Sequence, residues 1–135
     1  VACGTANLPC QVAKYWFEQI ARVPVEVDIA SEYRYRDPVL DPAGWAVFVS
    51  QSGETADTLA ALRHVQGKVG RVLSIVNVPT SSIARESDLA LPILAGVEVS
   101  VASTKGERAR LFTLRVNDTS ATGPPVGATV NAKAG

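Results

Sequence analysis

Short apolar runs alternate with amphipathic stripes along the first hundred residues. Trp45-Ala46-Val47-Phe48-Val49 and Arg71-Val72-Leu73-Ser74-Ile75-Val76 are nearly continuous apolar runs bounded by turn residues, the pattern of buried strands. Leu89 to Leu94 reads as a further strand, followed by Val97 to Ala102 and the turn Ser103-Thr104-Lys105. Pro24 to Asp28 alternates as a short strand, and Val1-Ala2 reads as the end of one. Helical patterns separate these runs. From about Pro9 to Arg22, Val12, Trp16 and Ile20 fall at i, i+4 and i+8, a stripe suited to packing on a sheet. Asn7 is placed to cap that helix, and Lys14 and Glu18 are spaced to pair across one turn. Ala30 to Tyr35 is ambiguous, with room for one helical turn. Thr55 to about Gln66 carries Leu59, Leu62 and Val65 on one face and stops at Gly67 and Gly70. Ser81 to Arg85 reads as a short helix.

Strands alternating with helices at this spacing predict a three-layer α/β/α sandwich around a parallel sheet of about five strands, the first truncated. Right-handed crossovers put all strand C-termini on one edge, where ligands bind in such sheets. Thr5 in the turn Cys3-Gly4-Thr5-Ala6-Asn7, the turn Ser50–Thr55 and the turn Ser103–Lys105 would converge there. Residues 1–105 read as one domain. Residues 106–135 are first charged, then rich in Thr, Ala, Gly and Pro, and are expected to be a loose or disordered tail.

Composition narrows the classes. The 135 residues are 47% hydrophobic and 19% charged, enough for one domain with a core. A formal net charge of zero argues against nucleic acid as a partner. No apolar run approaches the roughly 20 residues of a membrane span, and no leader pattern opens the chain. Cys3 and Cys10 make neither a disulfide framework nor a zinc site, so a cytoplasmic protein without a cofactor is expected. The start at Val1 reads as a fragment opening inside or just after a strand.

The chemistry concentrates in Ser50-Gln51-Ser52-Gly53-Glu54-Thr55. A strand that turns through small hydroxyl residues into a helix start is a recipe for holding an anion. The first N–H groups of a helix lack intrahelical partners, and the dipole favours negative charge there. The stretch is not a Walker A loop, not a G-x-G-x-x-G fingerprint and not a nucleophile elbow. The bland alternative is a well-capped helix with no ligand, since Ser and Thr are favoured caps. Single residues carry less. His64, the one histidine, lies well along the following helix and reads as ordinary. Cys3 reads as a small core residue, Glu54 as a favourable charge in a helix's first turn, and Arg34, Arg36 and Asp37 as surface charge. Lys105 fits an anion contact and a solvated surface position equally.

Taken together, Ser50–Thr55 with Ala56-Asp57-Thr58-Leu59, Val101–Lys105, Val27–Arg36, Ala2–Thr5 and Val12–Trp16 resemble the first sugar isomerase (SIS) domain of the glutamine–fructose-6-phosphate aminotransferases. The resemblance covers about residues 1–105. It implies fructose 6-phosphate bound at the strand-end turns by Thr5, Ser50, Gln51, Ser52, Thr55, Val101 and Ser103. Ser50, Ser52 and Thr55 would take the phosphate, and Thr5, Val101 and Ser103 would face the sugar. It further implies a homodimeric parent enzyme that makes glucosamine 6-phosphate from glutamine and fructose 6-phosphate. That enzyme's glutaminase domain, second SIS domain and C-terminal catalytic tail lie outside this sequence, so the chain alone is expected to be inactive. Ala6 stands where the family usually has Ser, Ser100 where it has Gly, and both Asn7–Gln11 and the segment from Gly106 depart from its pattern. Two alternatives stand beside this reading: a non-catalytic SIS module that senses a sugar phosphate, and a fragment that binds no ligand.

Overall fold

Parallel pairing of three short strands organises the chain, and the structure, a computed structural model, describes residues 1–93. β1 (Trp45–Ser50), β2 (Arg71–Val76) and β3 (Leu89–Pro92) lie in that order. Their register pairs Trp45 with Arg71, Ser50 with Val76, and Val76 with Pro92. Each strand is one of the expected apolar runs. β-branched and aromatic side chains suit a pleated surface that is covered by helices.

Two further segments extend the sheet by one bridge each. Ala2 lies parallel between Val49 and Ile29. Val49 N–H donates to Val1 O, Ala2 N–H to Asp28 O, and Ala30 N–H to Ala2 O. The lateral order is therefore Ile29, Ala2, β1, β2, β3, which gives the five positions of the expected sheet. The expected strand over Pro24–Asp28 is not formed. The segment meets its neighbour at the single bridge Ala2–Ile29, and beyond it both leave the sheet, one into a 3₁₀ turn (Gly4–Ala6) and the other into a helix from Ala30.

The helices sort by direction of travel. α2 (Ala30–Arg36), α3 (Ala56–Val65) and α4 (Ser82–Glu86) follow connections running toward β3. Right-handed crossovers put all three on one face. The core lies beneath them: Ala30, Tyr33, Ala46, Phe48, Ala61, Leu62, Val65, Val72, Val76, Ile83 and Ala84 form one cluster. Burying side chains such as Phe48 or Leu62 stabilises the fold by roughly 1.5–3 kcal/mol each. The segment that sequence left ambiguous is thus a full helix, α2, whose Tyr33 packs into that core.

α1 (Asn7–Trp16), continued by a π-helical turn (Phe17–Ala21), follows the one connection running the other way, and contributes nothing to the core cluster. The helix starts two residues earlier than expected. Asn7 is not its cap: it lies buried inside the helix, donating from Nδ2 to Asp28 O while its Oδ1 accepts from Gln11. The expected sheet-facing stripe is also turned round. Val12 is 48% exposed and Ile20 46%, whereas Cys10, Ala13, Phe17 and Ala21 are the half-buried positions. Lys14 and Glu18 do pair, at 3.8 Å. The chain leaves through Arg22, in the left-handed conformation at φ 58°. Val97–Ala102, the turn Ser103–Lys105, the domain boundary at 105 and the tail lie outside the described residues.

Candidate functional site

The turn between β1 and α3 sits at the C-terminal edge of the sheet, as its position after a parallel strand requires. One more bond continues the ladder past the strands, Asn77 N–H to Gln51 O at 3.2 Å. The three hydroxyl residues then take different places. Ser50 is 2% exposed, and its Oγ accepts from Gly53 N–H at 3.1 Å and lies 3.1 Å from Thr55 Oγ1. Ser50 is thus the internal hub of the turn. Ser52 is exposed, with its Oγ accepting from Glu54 N–H at 3.2 Å. Thr55 is half-buried and holds the N-cap position of α3.

Thr55 bears directly on the alternative of a well-capped, ligand-free helix. Its side chain makes no capping bond; it turns back to Ser50 instead. The first N–H groups of α3 therefore lack a side-chain acceptor among the described residues, and the positive end of the helix dipole stays open. Asp57, in the first turn, is the acidic residue nearest to it in sequence within the helix.

Gly53 is fixed by two constraints. Its φ is +67°, and a Cβ there would stand 2.0 Å from Ser81 Oγ and 2.4 Å from Ser81 Cβ. Only glycine allows this approach between the turn and the start of α4. The same contact includes Ile83 N–H donating to Gly53 O at 3.0 Å and Ser82 N–H donating to Glu54 Oε1 at 2.7 Å. Glu54 is therefore not in the first turn of α3, as the sequence suggested. It precedes that helix and caps the next one. The Ser82 N–H holds its carboxyl below the usual carboxylate range.

The remaining candidates are placed as follows. Thr5 lies exposed in the 3₁₀ turn just after Ala2, and because Ala2 runs parallel beside Val49, that turn leaves the sheet on the same edge as Ser50–Thr55. Gln51 is half-buried; its Oε1, like Asn77 Oδ1, is buried without a partner among the described residues. Val101, Ser103 and Lys105 fall outside the described residues. Cys3 is half-buried against the core cluster. His64 lies 3.5 Å from Asp37 on the far end of α3, and Arg36 pairs with Asp28 at 2.6 Å. A cavity of about 160 Å³, lined by Trp45, Arg71, Val72, Leu73, Asp88 and Leu89, lies at the opposite, N-terminal ends of the strands. Sequence reasoning missed Ser81, which is 2% exposed and packs on Gly53 while its Oγ accepts from Ala84 N–H. A serine just before a short helical pattern is the signal that marks it as a cap.

The sequence profile of the SIS domain matches residues 1–116. The chain belongs to the SIS domain family. It is 58% identical over 114 residues to a glutamine–fructose-6-phosphate aminotransferase (isomerizing) of Zymomonas mobilis, covering 84% of this chain and 19% of that protein. A Brucella abortus protein of the same name is 62% identical over 104 residues, 77% of this chain and 17% of its own length. Among solved structures, the C-terminal domain of glucosamine-fructose-6-phosphate aminotransferase from Francisella tularensis superimposes with a TM-score of 0.75 at 51% identity, covering 78% of this chain and 30% of that one. The chain thus spans about a fifth of the length of these curated relatives. The parallel α/β sheet and the family resemblance are both as expected from sequence. No helix among the described residues is long and apolar enough to cross a membrane.

Proposed function

We propose that the chain is the fructose 6-phosphate-binding SIS domain of a cytoplasmic, homodimeric glutamine–fructose-6-phosphate aminotransferase, which forms glucosamine 6-phosphate from glutamine and fructose 6-phosphate. The observation that carries this reading is the turn Ser50–Thr55 over the uncapped start of α3, at the ligand-binding edge of a parallel sheet. Ser52 and Thr55 present hydroxyls to the phosphate beside the open N–H groups. Ser50 holds that arrangement from within, and Gln51 supplies an amide next to it. Thr5, on the same edge, faces the sugar together with Val101 and Ser103. The high identity to proteins named as aminotransferases supports this substrate over other sugar phosphates. The chain binds and positions; the acid–base chemistry and ammonia supply belong to parts of the parent enzyme beyond this sequence.

Calorimetric titration of the chain with fructose 6-phosphate tests the reading, with fructose and inorganic phosphate as controls. Saturable binding of fructose 6-phosphate, absent for fructose and weakened at least about tenfold in a Ser52→Ala, Thr55→Ala double variant, is expected; loss of hydrogen bonds to a charged group is of that size. No saturable heat at millimolar fructose 6-phosphate would overturn it.

A further inference from the structure

The turn that forms the candidate site is tied to a helix start far along the chain, and the tie uses a negative charge. Glu54 Oε1 accepts from Ser82 N–H at 2.7 Å across 28 residues of sequence. Beside it, Gly53 O accepts from Ile83 N–H at 3.0 Å, and Gly53 leaves no room for a side chain against Ser81. A carboxylate next to an anion site is ordinarily unfavourable, by like-charge repulsion. Here it is matched instead to the N–H groups at the start of α4, while the start of α3 stays open. Arg85, in the last turn of α4, adds positive charge near Glu54, and Glu86 adds negative charge.

The tie reaches the hydroxyls through one residue. The Glu54 backbone N–H donates to Ser52 Oγ, and Glu54 is followed at once by Thr55. With the Gly53 O–Ile83 N–H bond beside it, the Glu54 anchor restrains the backbone from which Ser52 and Thr55 project. We infer that Glu54 is a positioning residue of this site: its carboxylate, anchored at the start of α4, orients Ser52 and Thr55 toward the anion without touching it. This inference rests on the sugar-phosphate reading for what the anion is, but the anchor itself is read independently of any ligand.

The test uses the 135-residue chain with Glu54→Ala, Glu54→Gln and Ser82→Pro variants, titrated with fructose 6-phosphate and with inorganic phosphate. Ser82 is the first residue of α4, where proline is compatible with a helix, so Ser82→Pro removes the N–H donor together with the hydroxyl that accepts from Arg85 Nη2 at 3.2 Å, and Ser82→Ala, which loses only that hydroxyl, is its control. Glu54→Ala and Ser82→Pro should each weaken both ligands about tenfold, the scale of a lost charge-assisted hydrogen bond, whereas Glu54→Gln, which keeps an acceptor, should bind within about threefold of the parent chain. The Ser82 amide resonance should follow one acid titration in the parent chain, with its midpoint below the ordinary glutamate range, and none in Glu54→Gln. Undiminished binding by Glu54→Ala or by Ser82→Pro overturns the proposal, as does a Ser82 amide that does not titrate. If the parent chain binds neither ligand, the sugar-phosphate reading fails by itself. The anchor is then judged by the Gly53 and Thr55 amide resonances: displaced in Glu54→Ala, they uphold it; unmoved, they overturn it.

Discussion

α3 and α1 carry equally regular apolar stripes, yet the fold treats them in opposite ways. On α3, Ala61, Leu62 and Val65 are fully buried over Phe48. On α1, Leu8 is 63% exposed and Tyr15 61%, and Val12, Trp16 and Ile20 follow the same outward line. The difference lies in what stands opposite. α3 connects two adjacent parallel strands, so its crossover lays it directly over their shared groove, flanked by α2 and α4. α1 connects Ala2 to Ile29, a pair joined by a single bridge, and among the described residues its stripe meets no layer. An amphipathic pattern reports that a helix has an apolar face. It does not report whether the described part of the chain supplies the surface to cover it.

The sharpest way to break this contrast is to empty the covered side. Phe48→Ala removes a fully buried ring from the middle of β1 and should cost about 3–5 kcal/mol in urea unfolding. A loss below about 1 kcal/mol would mean that the α2–α3–α4 layer is not the organising core. Next in size is Gly53→Ala. A side chain at φ +67° that must also push into Ser81 combines backbone strain with overpacking, at about 2–4 kcal/mol. Because the strain falls on the binding turn, anion affinity should drop with stability; stability lost with affinity intact would separate the turn from the site.

Acid should act on the covered side by a smaller amount. Glu54 is held below its ordinary range by the Ser82 N–H, and Glu86 by its hydrogen bond to the Arg63 guanidinium at 2.5 Å. Both folded-state values are depressed, so in both the unfolded chain takes up a proton first as pH falls. The stabilisation is fully present above the ordinary glutamate range, near 4.3, and is lost as pH drops through the folded-state values. Thermal midpoints measured from pH 6 to pH 3 should decline, and the decline should shrink in a Glu54→Gln, Glu86→Gln double variant. An unchanged decline would assign it to other carboxylates.

What was legible beforehand follows the same division. β1, β2 and α3 could be read because continuous apolar runs and a three–four stripe are local signals. The site turn could be read because small hydroxyl residues and a glycine sit between such a run and such a stripe. The role of Glu54 could not, since its partner Ser82 is 28 residues away and only the parallel register brings them together. Nor could the orientation of α1. Cys10, Ala13, Phe17 and Ala21 form a second stripe, less apolar than the one through Val12 and Ile20, and the fold buries that one in part. Ile29 was missed as a sheet position because a single bridge leaves no alternating pattern.

The smallest expected effect is the one that tests the open side. Val12→Ser and Ile20→Ser replace apolar side chains that are nearly half exposed and absent from the core cluster. Helix propensity changes little between these residue types, so each should shift the unfolding free energy by no more than about 0.5 kcal/mol. The comparison is sharpest when Ile20→Ser is measured beside Leu62→Ala, expected at about 2–5 kcal/mol for a fully buried leucine on the other helix. Equal losses would show that the α1 stripe is covered after all when the 135-residue chain folds. Unequal losses with a concentration-independent midpoint would show that it stays uncovered in solution, whereas a midpoint that rises with concentration in the parent chain and no longer does so in Ile20→Ser would show that the cover is a second copy.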